Sequence, residues 1–179
     1  LVTIDPVDAR DRDDAVLAEA DTDPGNPGGF ILWVAIADVA HYVTPGSALD
    51  REARKRGNST YFPDRVVPML PDILSGDLCS LHEGVDRACL AVRMVIDAEG
   101  HKRSHRFVRG LMRSVASLSY EQVKELQVIL TKSGFDVGEP DGKIGAGTRK
   151  AVKAMQLKYG QPPDSYPTPE LLSVMRGGR

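Results

Sequence analysis

The chain has 179 residues, 41% of them hydrophobic and 27% charged, with a formal net charge of -2. That composition is ordinary for a globular protein of one domain or two small ones, and it carries no global basic signature for nucleic acid. No apolar run approaches the ~20 residues of a membrane helix, and no signal peptide opens the chain, so no membrane association is expected.

Leu1 stands where a methionine would start a chain and runs at once into Val2-Thr3-Ile4, which reads as a strand and suggests a fragment or processed product. Asp5, Asp8, Asp11, Asp13 and Asp14 then fall within ten residues. Two like charges at about 4 Å repel by roughly 1 kcal/mol in water and several times more near a protein surface. Gathering such groups calls for a cation or for shifted pKa values. Oxygen donors of this kind suit Mg²⁺ or Mn²⁺ acting on a phosphodiester, whereas the alternative is a solvated acidic turn. Val16-Leu-Ala18 resumes an apolar run directly afterwards, which places the carboxylates in a loop between two buried segments. An EF-hand is excluded, because counting from Asp11 the position that needs glycine is Val16.

Asp21 to Gly29 is dense in turn formers. Phe30 to Ala37 is continuously apolar and predicts a strand buried on both faces, with Asp38 at its end either facing a site or capping the next turn. Ser47 and Gly57 bracket a helix whose last turn is basic (Arg54, Lys55, Arg56), a cluster that reads as a solvated helix end or a phosphate contact. Ser59 to Phe62 is a short extended piece, and Asp72 to Leu81 reads as a short helix. Leu90 to Asp97, a turn at Glu99-Gly100 and His105 to Met112 predict a hairpin. Cys79 and Cys89 lack CxxC spacing and are expected as reduced, buried thiols.

From Ser119 the texture changes. Ser119 and Gln122 form a capping box for an amphipathic helix with Val123, Leu126, Ile129 and Leu130 on one stripe and Gly134 at its end. A second helix is predicted over about 148–159 with Val152 and Met155 inward, and Thr168-Pro169-Glu170 starts a third that runs through Met175. This last third has a lysine excess, and the acidic surplus lies before it.

The runs Asp5-Pro-Val-Asp-Ala-Arg-Asp-Arg-Asp-Asp14, Val34-Ala-Ile-Ala-Asp-Val-Ala-His-Tyr-Val43, Pro68-Met-Leu-Pro71 and Leu78-Cys-Ser-Leu81 together resemble the first part of the ribonuclease II and ribonuclease R (RNB) catalytic domain over residues 1–120. The resemblance implies a hydrolytic 3′-to-5′ exoribonuclease domain with Asp5, Asp11, Asp13 and Asp14 at the metal positions and Mg²⁺ or Mn²⁺ as cofactor. Asp13 or Asp14 would lie nearest the attacking water. It further implies that Tyr61 and Tyr120 contact the terminal nucleotides of single-stranded RNA, where stacking contributes roughly 1–3 kcal/mol per base. The family's later half supplies an arginine and a glutamate near the scissile phosphate, and neither has a counterpart here, so weak or absent turnover is expected.

Leu126-Gln127, Leu130, Gly134-Phe135, Gly138, Asp141-Gly142, Gly145, Thr148, Ala151-Val152 and Gln156 resemble the peptidoglycan-binding domain of lytic transglycosylases over residues 121–176. That resemblance implies a three-helix wall-anchoring module without chemistry of its own; it does not say which residues touch peptidoglycan. The two patterns share Val123 with no linker, which reads as a chimeric, segment-joined bacterial chain.

The fold class expected is therefore α+β, a mixed-sheet fragment of an RNB-type domain (1–120) followed by a three-helix unit (121–179). An interrupted sheet leaves an open edge, which predicts a homodimer. A non-catalytic wall-binding protein, or a chimera without native function, is the competing expectation. The compartment is unresolved, since the nuclease part points to the cytoplasm and the C-terminal part to the envelope.

Overall fold

The computed structural model describes residues 1–7, 9 and 11–177, and Asp8 lies outside the described residues. The fold is α+β. The chain divides into two compact units, one made of Leu1 with 10–115 and the other of 2–9 with 116–179.

The first unit is an antiparallel four-stranded sheet in the order β2-β3-β6-β7, from β2 (Asp14–Ala20), β3 (Phe30–Ala37), β6 (Asp86–Ile96) and β7 (Lys102–Arg113). The β2–β3 loop is pinned by buried Asn26, whose side-chain amide donates to Asp21 Oδ2 at 2.8 Å and to the Ile96 carbonyl at 3.0 Å. Gly29 is required beside it, because a Cβ there would lie 2.1 Å from the Asn26 amide nitrogen. Two short helices, α1 (Val39–Tyr42) and α2 (Ala48–Arg56), and a minimal hairpin, β4 (Thr60–Tyr61) with β5 (Val66–Val67), connect β3 to β6. Ser47 caps α2 by accepting from Asp50 N–H, and Gly57 ends it at φ +79°. The Asp72–Leu81 segment condenses to a single wide turn, Leu74–Leu78, closed by the Cys79 N–H donating to the Leu74 carbonyl at 2.7 Å.

Sheet register decides the core. Ala15, Ala35, Ala91 and their strand neighbours Ala37, Cys89 and Met112 share one face, where they pack with Leu70, Leu74, Cys79 and Leu81. The opposite face carries Val16, Val34, Val92 and Phe107 in one row and Ile36 beside Leu90 in the next. Ile36 and Leu90 are exposed, as are Phe107 at 64% and Leu111 at 74%. The expected burial of β3 on both faces is therefore corrected. An antiparallel sheet needs cover on one face only, and the apolar run of β3 supplies both.

In the second unit β1 (Thr3–Asp5) pairs in parallel with β8 (Ser117–Ser119), and three helices follow: α3 (Tyr120–Lys132), α4 (Ala146–Lys158) and α5 (Pro169–Met175). The capping box of Ser119 and Gln122 forms in both directions. Gly134 takes φ +89°, and the Phe135 N–H donates back to the Leu130 carbonyl at 3.1 Å, closing α3. Thr168 caps α5 with Pro169 in its first turn. Leu126, Leu130, Ala151, Val152, Met155, Leu171 and Leu172 form the core; Ile129 is only partly buried against it.

Candidate functional site

Asp11 and Asp13 belong to the loop that delivers the chain into β2, and Asp14 is the first residue of that strand. The loop is held by its backbone: Arg12 N–H donates to Ser80 Oγ at 3.0 Å, Leu81 N–H donates to the Arg12 carbonyl at 2.8 Å, and Ala37 N–H donates to the Asp13 carbonyl at 2.9 Å. Ser80 and Leu81 are fully buried, so the aspartates ride on a rigid support. Backbone bonding of this kind leaves the carboxylates themselves uncommitted to the fold.

Asp13 is an exposed residue, yet neighbouring atoms crowd its carboxyl. That partial burial, followed by the negative charges of Asp11 and Asp14, raises its pKa above the ordinary aspartate value. Cys79, behind the loop, is pushed up by burial, then by Asp13 and Asp38. Cys89 is raised by burial and then Asp38. Both thiols are buried and free, as their spacing predicts. One end of the sheet thus gathers negative potential.

Asp38 caps nothing with its side chain. It accepts from Arg109 Nη2 at 2.9 Å, a partner 71 positions away on β7. Of its two sequence readings, the cap is the one set aside. Sequence reasoning also missed Ser80, whose hydroxyl anchors the aspartate loop; only its place in the Leu78–Leu81 run hinted at it.

Asp5 lies in the second unit, buried at the end of β1 opposite Ser119, and Tyr120 is the next residue along, 46% exposed at the start of α3. Tyr61 is 68% exposed on the β4–β5 hairpin, next to Phe62, over whose ring the Arg65 guanidinium sits at 4.9 Å. The basic end of α2 is neutralised locally, with Arg54 on Asp50, and with Lys55 and Arg56 on Glu52. It reads as a helix end.

Among the described residues, no three His, Cys, Asp or Glu side chains converge as a metal-holding group. The donors at Asp11, Asp13 and Asp14 suit a hard divalent cation in kind, and the crowding at Asp13 is the state a cation relieves. Among the described residues their arrangement does not form a metal cage.

The RNB domain pattern matches residues 1–133, and the pattern described as a putative peptidoglycan binding domain matches residues 119–175, so α3 falls within both. Ribonuclease R of Vibrio parahaemolyticus is 53% identical over 126 residues and that of Escherichia coli 51% over 123, about 70% of this chain in each case. The chain spans only 15% of the length of these relatives. Among solved structures, Mycoplasma genitalium RNase R in complex with ribose methylated single-stranded RNA aligns with a TM-score of 0.66 at 31% identity, covering 88% of this chain and 23% of its own. By the match over residues 1–133, the chain belongs to the RNB domain family.

Proposed function

We propose that the first two thirds of the chain act as a partial exoribonuclease-type module that binds single-stranded RNA and takes up Mg²⁺ or Mn²⁺ at the aspartate run Asp11, Asp13 and Asp14, with weak or no turnover. The observation that carries this reading is the crowded, anchored aspartate loop lying inside the RNB match. A bound divalent cation supplies charge neutralisation and a more acidic water at such a site. Asp13, the residue before β2, and Asp14, its first residue, are the carboxylates that would hold such an ion. Tyr61, exposed on the β4–β5 hairpin, stacks on a terminal base, which gives affinity without sequence preference. Weak or absent turnover follows from the RNB match stopping at residue 133, just past the end of α3, while the other pattern continues to 175.

The test is a melting experiment on the full chain. Mg²⁺ or Mn²⁺ should raise the melting temperature, and Asp13→Asn should abolish the response. A wild-type chain indifferent to both ions removes this reading.

A second reading rests on the match over residues 119–175: the C-terminal unit binds peptidoglycan, with no chemistry of its own. Sedimentation with insoluble sacculi checks it, since binding should survive Asp13→Asn. Recovery of the chain in the soluble fraction only would dismiss it.

A further inference from the structure

The hairpin of the first unit carries a charge arrangement that the aspartate loop does not use. Register places Leu17, Trp33, Arg93 and Arg106 in one row across β2, β3, β6 and β7. Arg93 and Arg106 are therefore direct cross-strand neighbours, and like charges so placed destabilise a sheet. Cations on β7 have a structural explanation, because charged side chains protect an edge strand from pairing with another chain. Arg93 does not share it, since β6 is a central strand.

The hairpin's other arginines are engaged. Arg87 pairs with Asp77, Arg109 with Asp38 and Arg113 with Asp86, while Arg103 donates to the Gly25 carbonyl and to Asn26 Oδ1. Among the described residues Arg93 and Arg106 have no such hydrogen-bond or ion-pair partner. The carboxylate that feels Arg93 is Asp21, which is already held by the Asn26 side chain and the Asp23 N–H. Arg93, Ser104, His105 and Arg106 together line a shallow depression of about 270 Å³.

We infer that this depression is a binding site for phosphodiester groups of single-stranded RNA, separate from the aspartate loop. A guanidinium presents a rigid fork of donors that matches phosphate oxygens, and the Ser104 hydroxyl adds a neutral donor. An anion between Arg93 and Arg106 turns their repulsion into two attractions. The choice of RNA over an acidic peptide rests on the RNA reading above; the site would hold the strand without reading its bases.

The experiment is fluorescence anisotropy of a labelled oligouridylate on the full chain across a salt series. For single strands the slope of log affinity against log salt is about 0.7 per neutralised phosphate. Replacing both residues (Arg93→Gln with Arg106→Gln) should reduce the slope by about 1.4, and Arg106→Gln alone by about 0.7. The single variant alters only an exposed side chain and carries the test should the double variant unfold. The charge-retaining Arg93→Lys with Arg106→Lys should keep the slope. An unchanged slope in the glutamine variants overturns the site, as does RNA displaced equally well by polyglutamate and by polyphosphate. A missing metal response with an arginine-dependent slope removes the aspartate reading alone, and the reverse result removes this site alone.

Discussion

The two units solve the same problem with different materials. The C-terminal helices close a core of long side chains and then lock their loops with two buried glutamines. Gln127 on α3 accepts from the Gly142 N–H at 2.9 Å and donates to the Lys143 carbonyl at 2.9 Å. Gln156 on α4 does the same for the next loop, accepting from Ser165 N–H and donating to the Tyr166 carbonyl, each at 2.9 Å. Each amide is satisfied on both sides, so each loop is tied to a helix. The sheet unit instead packs one face with alanines and cysteines and leaves Ile36, Leu90, Phe107 and Leu111 on the other. A finished core resists perturbation locally; an open face leaves a protein able to accept a neighbour, and here it belongs to a family whose relatives are far longer.

The contrast can be broken at several points. The largest effect is expected for Leu130→Ala, which empties a fully buried site and should cost about 3–4 kcal/mol, read as a fall in the unfolding midpoint of the C-terminal unit. Gln127→Leu keeps the volume but strands the Gly142 N–H and the Lys143 carbonyl, and should cost about 3 kcal/mol in the same denaturant experiment. Gly142→Ala follows at about 2 kcal/mol, because φ is +81° and the new Cβ would meet the Tyr120 carbonyl at 2.9 Å. A C-terminal unit indifferent to these three changes would show that its loops are not latched as described.

The sheet unit should respond differently. The raised pKa of Asp13 means that the folded chain holds a proton more tightly than the unfolded one there. Stability from this group is therefore greatest below the ordinary value of 3.8 and falls as pH rises above it, through the folded-state value. Asp13→Asn should raise the melting temperature at neutral pH, and the gain should fade towards pH 3.8. A gain that persists unchanged at low pH would mean that charge is not its cause. The smallest effect is expected for Phe107→Ser on the open face, within about 0.5 kcal/mol, with reduced binding of a hydrophobic dye.

Local signals in the sequence were readable to the residue where the interaction spans few positions. The box of Ser119 and Gln122, the Thr168-Pro169 start and the Gly134 stop all appear where predicted, because each is a bond within one turn. The hairpin was also readable, though its strands extend to Asp86 and Arg113, beyond the alternating run, since ladder bonds continue through residues of any polarity. The candidate site was visible as an acidic loop but not as a structure. Ser80 lies 68 positions from Arg12, and Asp38 lies 71 from Arg109, so no local pattern announces either bond. Gln127 and Gln156 read as members of a family pattern, with nothing in their chemistry to mark them as buried.

By itself, then, the sequence determined the class of the fold, the helix ends and the place of the acidic loop. Periodicity, capping and turn chemistry act over a few residues and survive without the rest of the chain. Tertiary structure decided which face of the sheet is covered, which amides turn inward and which arginines stand opposite one another. Register and packing join residues tens of positions apart, and a polar side chain's fate depends on the partner that folding delivers.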